Sequence, residues 1–253
     1  MQLDTCSLLE RLNVSHCTRL TDASLNGLAD SKAVAYGRLW DLDISDLGPG
    51  FTGAGLSALL IEWTRTQRYV DVIPAPSTWE EDAPGYRLNI SYNDKILAEH
   101  LLGLVALPGM PCVQFGQFLA DDCSKMAAPL ILGTYSLNVL GEVANSGSFD
   151  QLQTLDLRRC FAASTQESLE KNEAALARII RGTGGRLKRL LIDDGCAGAD
   201  VVEAIASKGS QLEELSICDC RGVSDAGLQA LAAACKQLTR LYVGGDSRCL
   251  DTV

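Results

Sequence analysis

The chain of 253 residues is short of aromatic residues (6%), has only two histidines, and carries fewer basic than acidic side chains. Each shortage excludes something. With few bulky rings, the abundant leucine and alanine suit thin, regular layers better than a core built on large anchors. The net charge of -10 and pI near 4.7 leave no overall basic face to meet a nucleic acid or an anionic membrane surface. Long apolar runs are missing too: the best, Leu101 to Leu107, stops at Pro108, far below the length that spans a bilayer. The start, Met1 to Leu12, includes Asp4, Glu10 and Arg11 and lacks the apolar stretch of a secretory signal. A soluble, intracellular, cytoplasmic protein is expected, with its ten cysteines as reduced thiols and not a disulfide framework. Two glycosylation-type triplets, Asn13-Val14-Ser15 and Asn89-Ile90-Ser91, lie in apolar-alternating segments and read as chance matches.

What the chain does have is internal repetition. Leu9, Leu12, Val14, Cys17, Leu20, Thr21, Asp22, Leu25, Leu28 and Ala29 share every spacing with Leu212, Leu215, Ile217, Cys220, Val223, Ser224, Asp225, Leu228, Leu231 and Ala232. Weaker copies lie between them. Leu39, Leu42, Ile44, Leu47, Phe51, Thr52, Leu56 and Leu59 make a second copy, and Leu88, Ile90, Asn93, Ile96 and Leu101 a third. A fourth is expected from Val113, Phe115 and Phe118, with its helix delayed to Ser136–Ala144. Leu152, Leu155, Leu157 and Cys160 begin a fifth, and Leu187, Leu190 and Ile192 a sixth that continues at Val201 and Ile205. Leu238, Leu241 and Val243 begin an eighth. The steps from Leu12 to Leu42, Leu155 to Leu190, Leu190 to Leu215 and Leu215 to Leu241 are 30, 35, 25 and 26 residues.

Two periodicities occur inside one repeat. Leu12 and Val14 share one side of a short strand, whereas Leu25 and Leu28 share one face of a helix. Thr21 and Ser224 stand where helix N-caps are expected, and Asp22 and Asp225 favour the positive end of the helix dipole. No unit buries its apolar side alone; stacking buries all of them in one continuous core. Cys17, Cys160 and Cys220 follow the strand at a tight turn, where a small thiol enters the interior and bonds to a neighbouring carbonyl. Asn93 is expected to do the same.

The regularity breaks twice. An inserted loop is expected near 64–85, extended by Pro74, Pro76 and Pro84 and wetted by Glu80, Glu81 and Asp82, with Trp79 alone in it. Trp79 either folds back on the repeats or anchors a partner. A segment near 116–134 is irregular. Arg178, Arg181, Arg186, Lys188 and Arg189 form a basic cluster, partly at a helix C-terminus near Gly182 and partly free to meet an acidic partner.

Catalytic and ligand motifs fail in turn. His16 and His100 stand without a nucleophile and acid at a suitable spacing and are expected to be structural or surface residues. Cys218 and Cys220 lack the second ligand pair of a zinc site. Gly182-Thr183-Gly184-Gly185 follows a helix and lacks the Gly-Lys-Ser/Thr ending of a phosphate loop. No catalytic residue, metal, cofactor or small-molecule ligand is expected.

The pattern C-x-x-[LV]-[ST]-D-x-x-L-x-x-L-A resembles the cysteine-containing leucine-rich repeats of F-box/LRR proteins and their relatives. That resemblance implies a single α/β domain over 1–253. It would be a leucine-rich-repeat solenoid of about seven to eight repeats, with short parallel strands lining a concave face and helices on the convex face. The concave-face residues would then be Asn13, Ser15, Asp43, Ser45, Asn89, Ser91, Asp156, Arg158, Asp193, Ser216, Cys218 and Tyr242. Many such proteins are substrate-recognition subunits of cullin-type (SCF) ubiquitin ligases, but here the first repeat starts by Leu9, with no room ahead of it for an F-box. The only Leu-Pro pair, Leu107-Pro108, lies among the repeats. Similar F-box-less proteins serve as scaffold subunits, including those of the ciliary nexin–dynein regulatory complex. The leading expectation is therefore a non-enzymatic protein–protein scaffold in a larger intracellular assembly, with the cilium or axoneme as its most specific form. Repeats running to both ends without obvious caps favour docking. The ligase receptor is the alternative.

Overall fold

The computed structural model describes residues 6–66, 86–93, 96, 100–101, 115–120, 141–160, 166–193, 197–220 and 222–244. Eight short strands form one all-parallel sheet in strict sequence order. They are β1 (Arg11–Asn13), β2 (Asp41–Asp43), β3 (Tyr86–Asn89), β4 (Phe115–Leu119), β5 (Thr154–Asp156), β6 (Arg189–Leu191), β7 (Glu214–Ser216) and β8 (Arg240–Tyr242). Parallel neighbours need a crossover, and helices supply most of these connections. They are α1 (Asp22–Ala29), a short α2 (Lys32–Ala35), α3 (Ala54–Thr66), α4 (Gln166–Arg181), α5 (Ala199–Lys208) and α6 (Asp225–Ala234). Helix α1 packs on α3, α4 on α5, and α5 on α6. Among the described residues, no helix is long and apolar enough to cross a membrane.

The repeat leucines set the register. Leu12 lies opposite Leu42, Leu42 opposite Leu88, Leu88 opposite Phe118, and the row continues through Leu155, Leu190, Leu215 and Leu241. From Leu42 to Leu215 these side chains are fully buried, joined by Ile44, Ile90, Leu157, Ile192 and Ile217 and by the inward residues of the helices. Aromatic rings pair at two places in the core, Trp63 against Tyr86 and Phe118 against Phe149, with ring centroids 5.2 and 5.6 Å apart.

After each of five strands the chain turns through a left-handed residue: His16, Asp46, Tyr92, Arg159 and Asp219. None is glycine, and each carries a conformational cost of order 1–2 kcal/mol. The turn aims the next side chain back under the preceding repeat. Cys160 Sγ donates to the Ala120 carbonyl (2.7 Å) and Cys220 Sγ to that of Ile192 (3.3 Å). Asn93 Nδ2 donates to Ile44 O (2.8 Å), and its Oδ1 accepts from Leu47 N–H (2.9 Å). Amide and thiol thus do one job: they satisfy a buried backbone group of the neighbouring unit.

Three expectations change. Cys17 is exposed, not a core residue, because β1 is the sheet edge and no described strand precedes it to offer a carbonyl. The irregular segment near 116–134 begins inside β4, whose pairing with β3 skips Gly116 at a bulge before Phe118 joins the leucine row. The expected delayed helix at Ser136–Ala144 is described only from residue 141, and it passes into a π-type turn at Ala144–Ser148, where Gly147 has φ 89°. The insertion begins after α3 ends at Thr66; residues 67–85, Trp79 among them, lie outside the described residues.

Candidate interaction surface

Strand residues alternate sides, so the residues before and after each buried leucine emerge on the sheet face turned away from the helical core. The row after the leucine contains Asn13, Asp43, Asn89, Leu119, Asp156, Leu191, Ser216 and Tyr242. Several of these are tied to each other. Asp43 Oδ2 accepts from Asn13 Nδ2 (3.5 Å) on one side and Asn89 Nδ2 (3.1 Å) on the other. Its Oδ1 accepts from the Ser45 amide and hydroxyl (3.0 and 2.6 Å). Asn13 holds Ser15 in the same way, and Asn89 Oδ1 accepts from the Ser91 amide. These Asx turns bend the chain out of the strand and towards the left-handed residue.

In the later strands the turn persists at Asp156, whose Oδ1 accepts from the Arg158 amide (3.2 Å), and further side-chain pairs are added. Asp156 takes Arg158 in a two-pronged pair, Nε to Oδ1 at 3.0 Å and a terminal nitrogen to Oδ2 at 2.9 Å. Asp193 Oδ1 accepts from the Ser216 hydroxyl (2.5 Å) and the Cys218 amide (2.9 Å). Ser45, Ser91, Asp156, Asp193, Ser216 and Cys218 are buried. As freely offered contact residues these six are corrected. Of the remaining predicted positions Asn13 is exposed, and Ser15, Asp43, Asn89, Arg158 and Tyr242 are half-buried.

The basic cluster is also largely spent. Arg178 pairs with Glu142, Arg181 with Glu203 (3.8 Å), Lys188 with Glu213 (4.0 Å) and Arg189 with Glu214 (2.8 Å). Arg186 is exposed and has no ion-pair partner among the described residues.

Sequence reasoning passed over the row before the leucine: Arg11, Asp41, Arg87, Gln117, Thr154, Arg189, Glu214 and Arg240, in register across the sheet. Its ends mirror each other, each an acid between two arginines. Glu214, only 3% exposed, takes Arg189 at 2.8 Å and Arg240 at 3.0 Å through the same oxygen. Asp41 faces Arg87 at 3.7 Å. Burial pushes the Asp41 carboxyl above the usual range despite the opposing pull of Arg87 and Arg11. Arg11 lies over the Trp40 ring, 4.6 Å from its centroid. Period-two alternation applied in both directions from the leucine would have found the row.

His16 Nδ1 lies 2.7 Å from Asp46 Oδ2 on an exposed edge, so the histidine has an orienting acid, but no nucleophile is hydrogen-bonded to it among the described residues. His100 accepts the Ser57 hydroxyl on its backbone carbonyl. Among the described residues no group of three or more His, Cys, Asp or Glu side chains is placed to hold a metal ion.

Together the fold and this face define an α/β protein of stacked strand–helix units on one parallel sheet, compatible with a solenoid, whose open side is lined by charged and amide ladders. No protein-family model matches the chain, and no curated protein matches it in sequence.

Proposed function

We propose that the chain is a non-enzymatic protein-binding scaffold, a leucine-rich-repeat solenoid of the cysteine-containing kind, working as a subunit of a larger intracellular assembly. The observation that carries this reading is the ladder row across the whole open sheet face. In register along it, Arg11, Arg189 and Arg240 are exposed and Asp41 and Arg87 half-buried, an extended track of guanidinium and carboxylate groups with Thr154 and Glu214 buried among them. Mixed charge on a rigid, repetitive backbone suits a polypeptide, which offers varied groups along its length, better than a small molecule, which needs convergent ones. The resemblance of the repeats makes a ciliary regulatory complex the most specific form of the proposal.

Cross-linking mass spectrometry on native assemblies tests it. Partner cross-links should concentrate at Lys188, at the entrance of β6, over the helix lysines Lys32, Lys171 and Lys208. Recovery of the chain without any partner, or cross-links confined to the helices, would refute the reading.

A further inference from the structure

Among the described residues, each end of the sheet leaves half a layer uncovered. Leu241 is 45% and Val243 36% exposed, although their counterparts Leu215 and Ile217 are buried. At the opposite edge Leu12 and Val14 are only partly buried. Laid in register, a second copy's β1 would suit β8 in every apolar position: Leu12 beside Leu241 and Val14 beside Val243. Head-to-tail stacking is the hazard that two such edges create. The row before the leucine decides the outcome. It ends in Arg240 at one edge and begins with Arg11 at the other, so stacking would put the two guanidinium groups on adjacent strands, about 4.8 Å apart.

We infer that the β8 edge docks a parallel strand of a partner reading acid–aliphatic–any–aliphatic, and that Arg11 refuses a second copy of the chain at that edge. The inference rests on the scaffold reading above. The chemistry is already displayed one strand inward. Glu214 sits beside Arg240 at 3.0 Å, followed by Leu215 and, two residues on, Ile217. A partner acid on the far side of Arg240 repeats that arrangement and extends the alternation of charge. The Arg240 side chain, 54% exposed, has room for it. Like charges directly opposite on neighbouring strands oppose pairing, and opposite charges favour it.

The probe is the chain itself. R11E turns its leading edge into Glu-Leu-Asn-Val, the strand the β8 edge is inferred to accept. In sedimentation velocity at low salt the wild-type chain should be monomeric. R11E should associate head-to-tail at least roughly tenfold more tightly, and R11E/R240E should return to monomer. Arg11→Lys should stay monomeric. Because R11E also faces Asp41, its folding is checked by circular dichroism, and wild type at rising salt gives a readout that needs no substitution. Screening the two arginines should strengthen self-association. A folded R11E that remains monomeric, a wild-type chain that stacks as tightly as R11E, or wild-type association that weakens with salt would each overturn the inference. None of these results bears on partner cross-links at Lys188, so the two readings fail separately.

Discussion

Leu215 and Leu241 hold the same place in β7 and β8, yet one is sealed and the other is nearly half exposed. Cys220 and Cys17 differ in the same way: one thiol reaches the carbonyl of the preceding repeat, and the other faces solvent. The residue types do not change; the neighbours do. In a stack, a side chain's worth depends on the unit beside it, because its core contacts and hydrogen-bond acceptors belong to another repeat. Interior repeats therefore store the stability, and the ends keep the unsatisfied surface.

The largest break in that comparison should come from truncating equivalent leucines. Leu215→Ala is expected to cost about 2–5 kcal/mol. Leu241→Ala should cost less than about 1 kcal/mol, since much of its surface is already wet. Urea unfolding of the two variants measures the difference.

Glycines between repeats come next. A Cβ on Gly184 would lie 2.0 Å from the Asp150 carbonyl oxygen, a backbone atom that cannot swing away. Gly184→Ala should cost roughly 2–3 kcal/mol through forced separation of two units. Its neighbour Gly185 has φ +76° and nothing near its missing Cβ. Gly185→Ala should cost only conformational strain, about 1 kcal/mol. The same denaturation series separates the two cases.

The slot after the turn gives a third contrast. Asn93→Ala strands the Leu47 amide and the Ile44 carbonyl in the interior, for about 2 kcal/mol. Cys17→Ala should be close to neutral in thermal unfolding.

The smallest effect concerns acid. Burial raises the Asp22 pKa, but the Thr52 hydroxyl and the amides of Thr52, Gly55 and Gly53 outweigh it and hold the carboxyl below its usual 3.8. Asp22 thereby caps α3 from the neighbouring repeat as well as standing at the start of its own helix. A depressed folded pKa means that the stabilisation is complete above pH 3.8 and disappears as pH falls through the lower folded value. Asp22→Asn should lose about 1 kcal/mol near neutrality and show a flatter acid limb. Asp41 works with the opposite sign: its raised pKa gives a contribution present in acid and lost as pH rises through the folded value.

Much of the fold was legible because leucine spacing speaks twice, with period two in the strand and three in the helix. Leu12, Leu42, Leu88, Leu155, Leu190 and Leu215 all fell into one row in register. β4 was harder, since Phe118 replaces leucine there and Gly116 and Gln117 dilute the pattern. The open face was only partly legible. Alternation shows which side a residue leaves from, but not that Asp193 would be consumed by Ser216 and Cys218, because that bond joins residues 23 and 25 apart. The arginine–acid rows were hidden for a related reason. Arg189 and Arg240 look like separate charges until the register sets Glu214 between them.

Native-state hydrogen exchange, resolved by residue, tests the account most directly. Amides donated between interior strands, such as Ile44 to Asn89 and Leu157 to Leu191, should exchange near the global unfolding limit. Those at the edges, Val14 to Asp43 and Ile217 to Tyr242, should exchange faster through local fraying. Equal protection across all eight strands of the isolated chain would contradict a stack whose stability resides in its interior and whose ends are open.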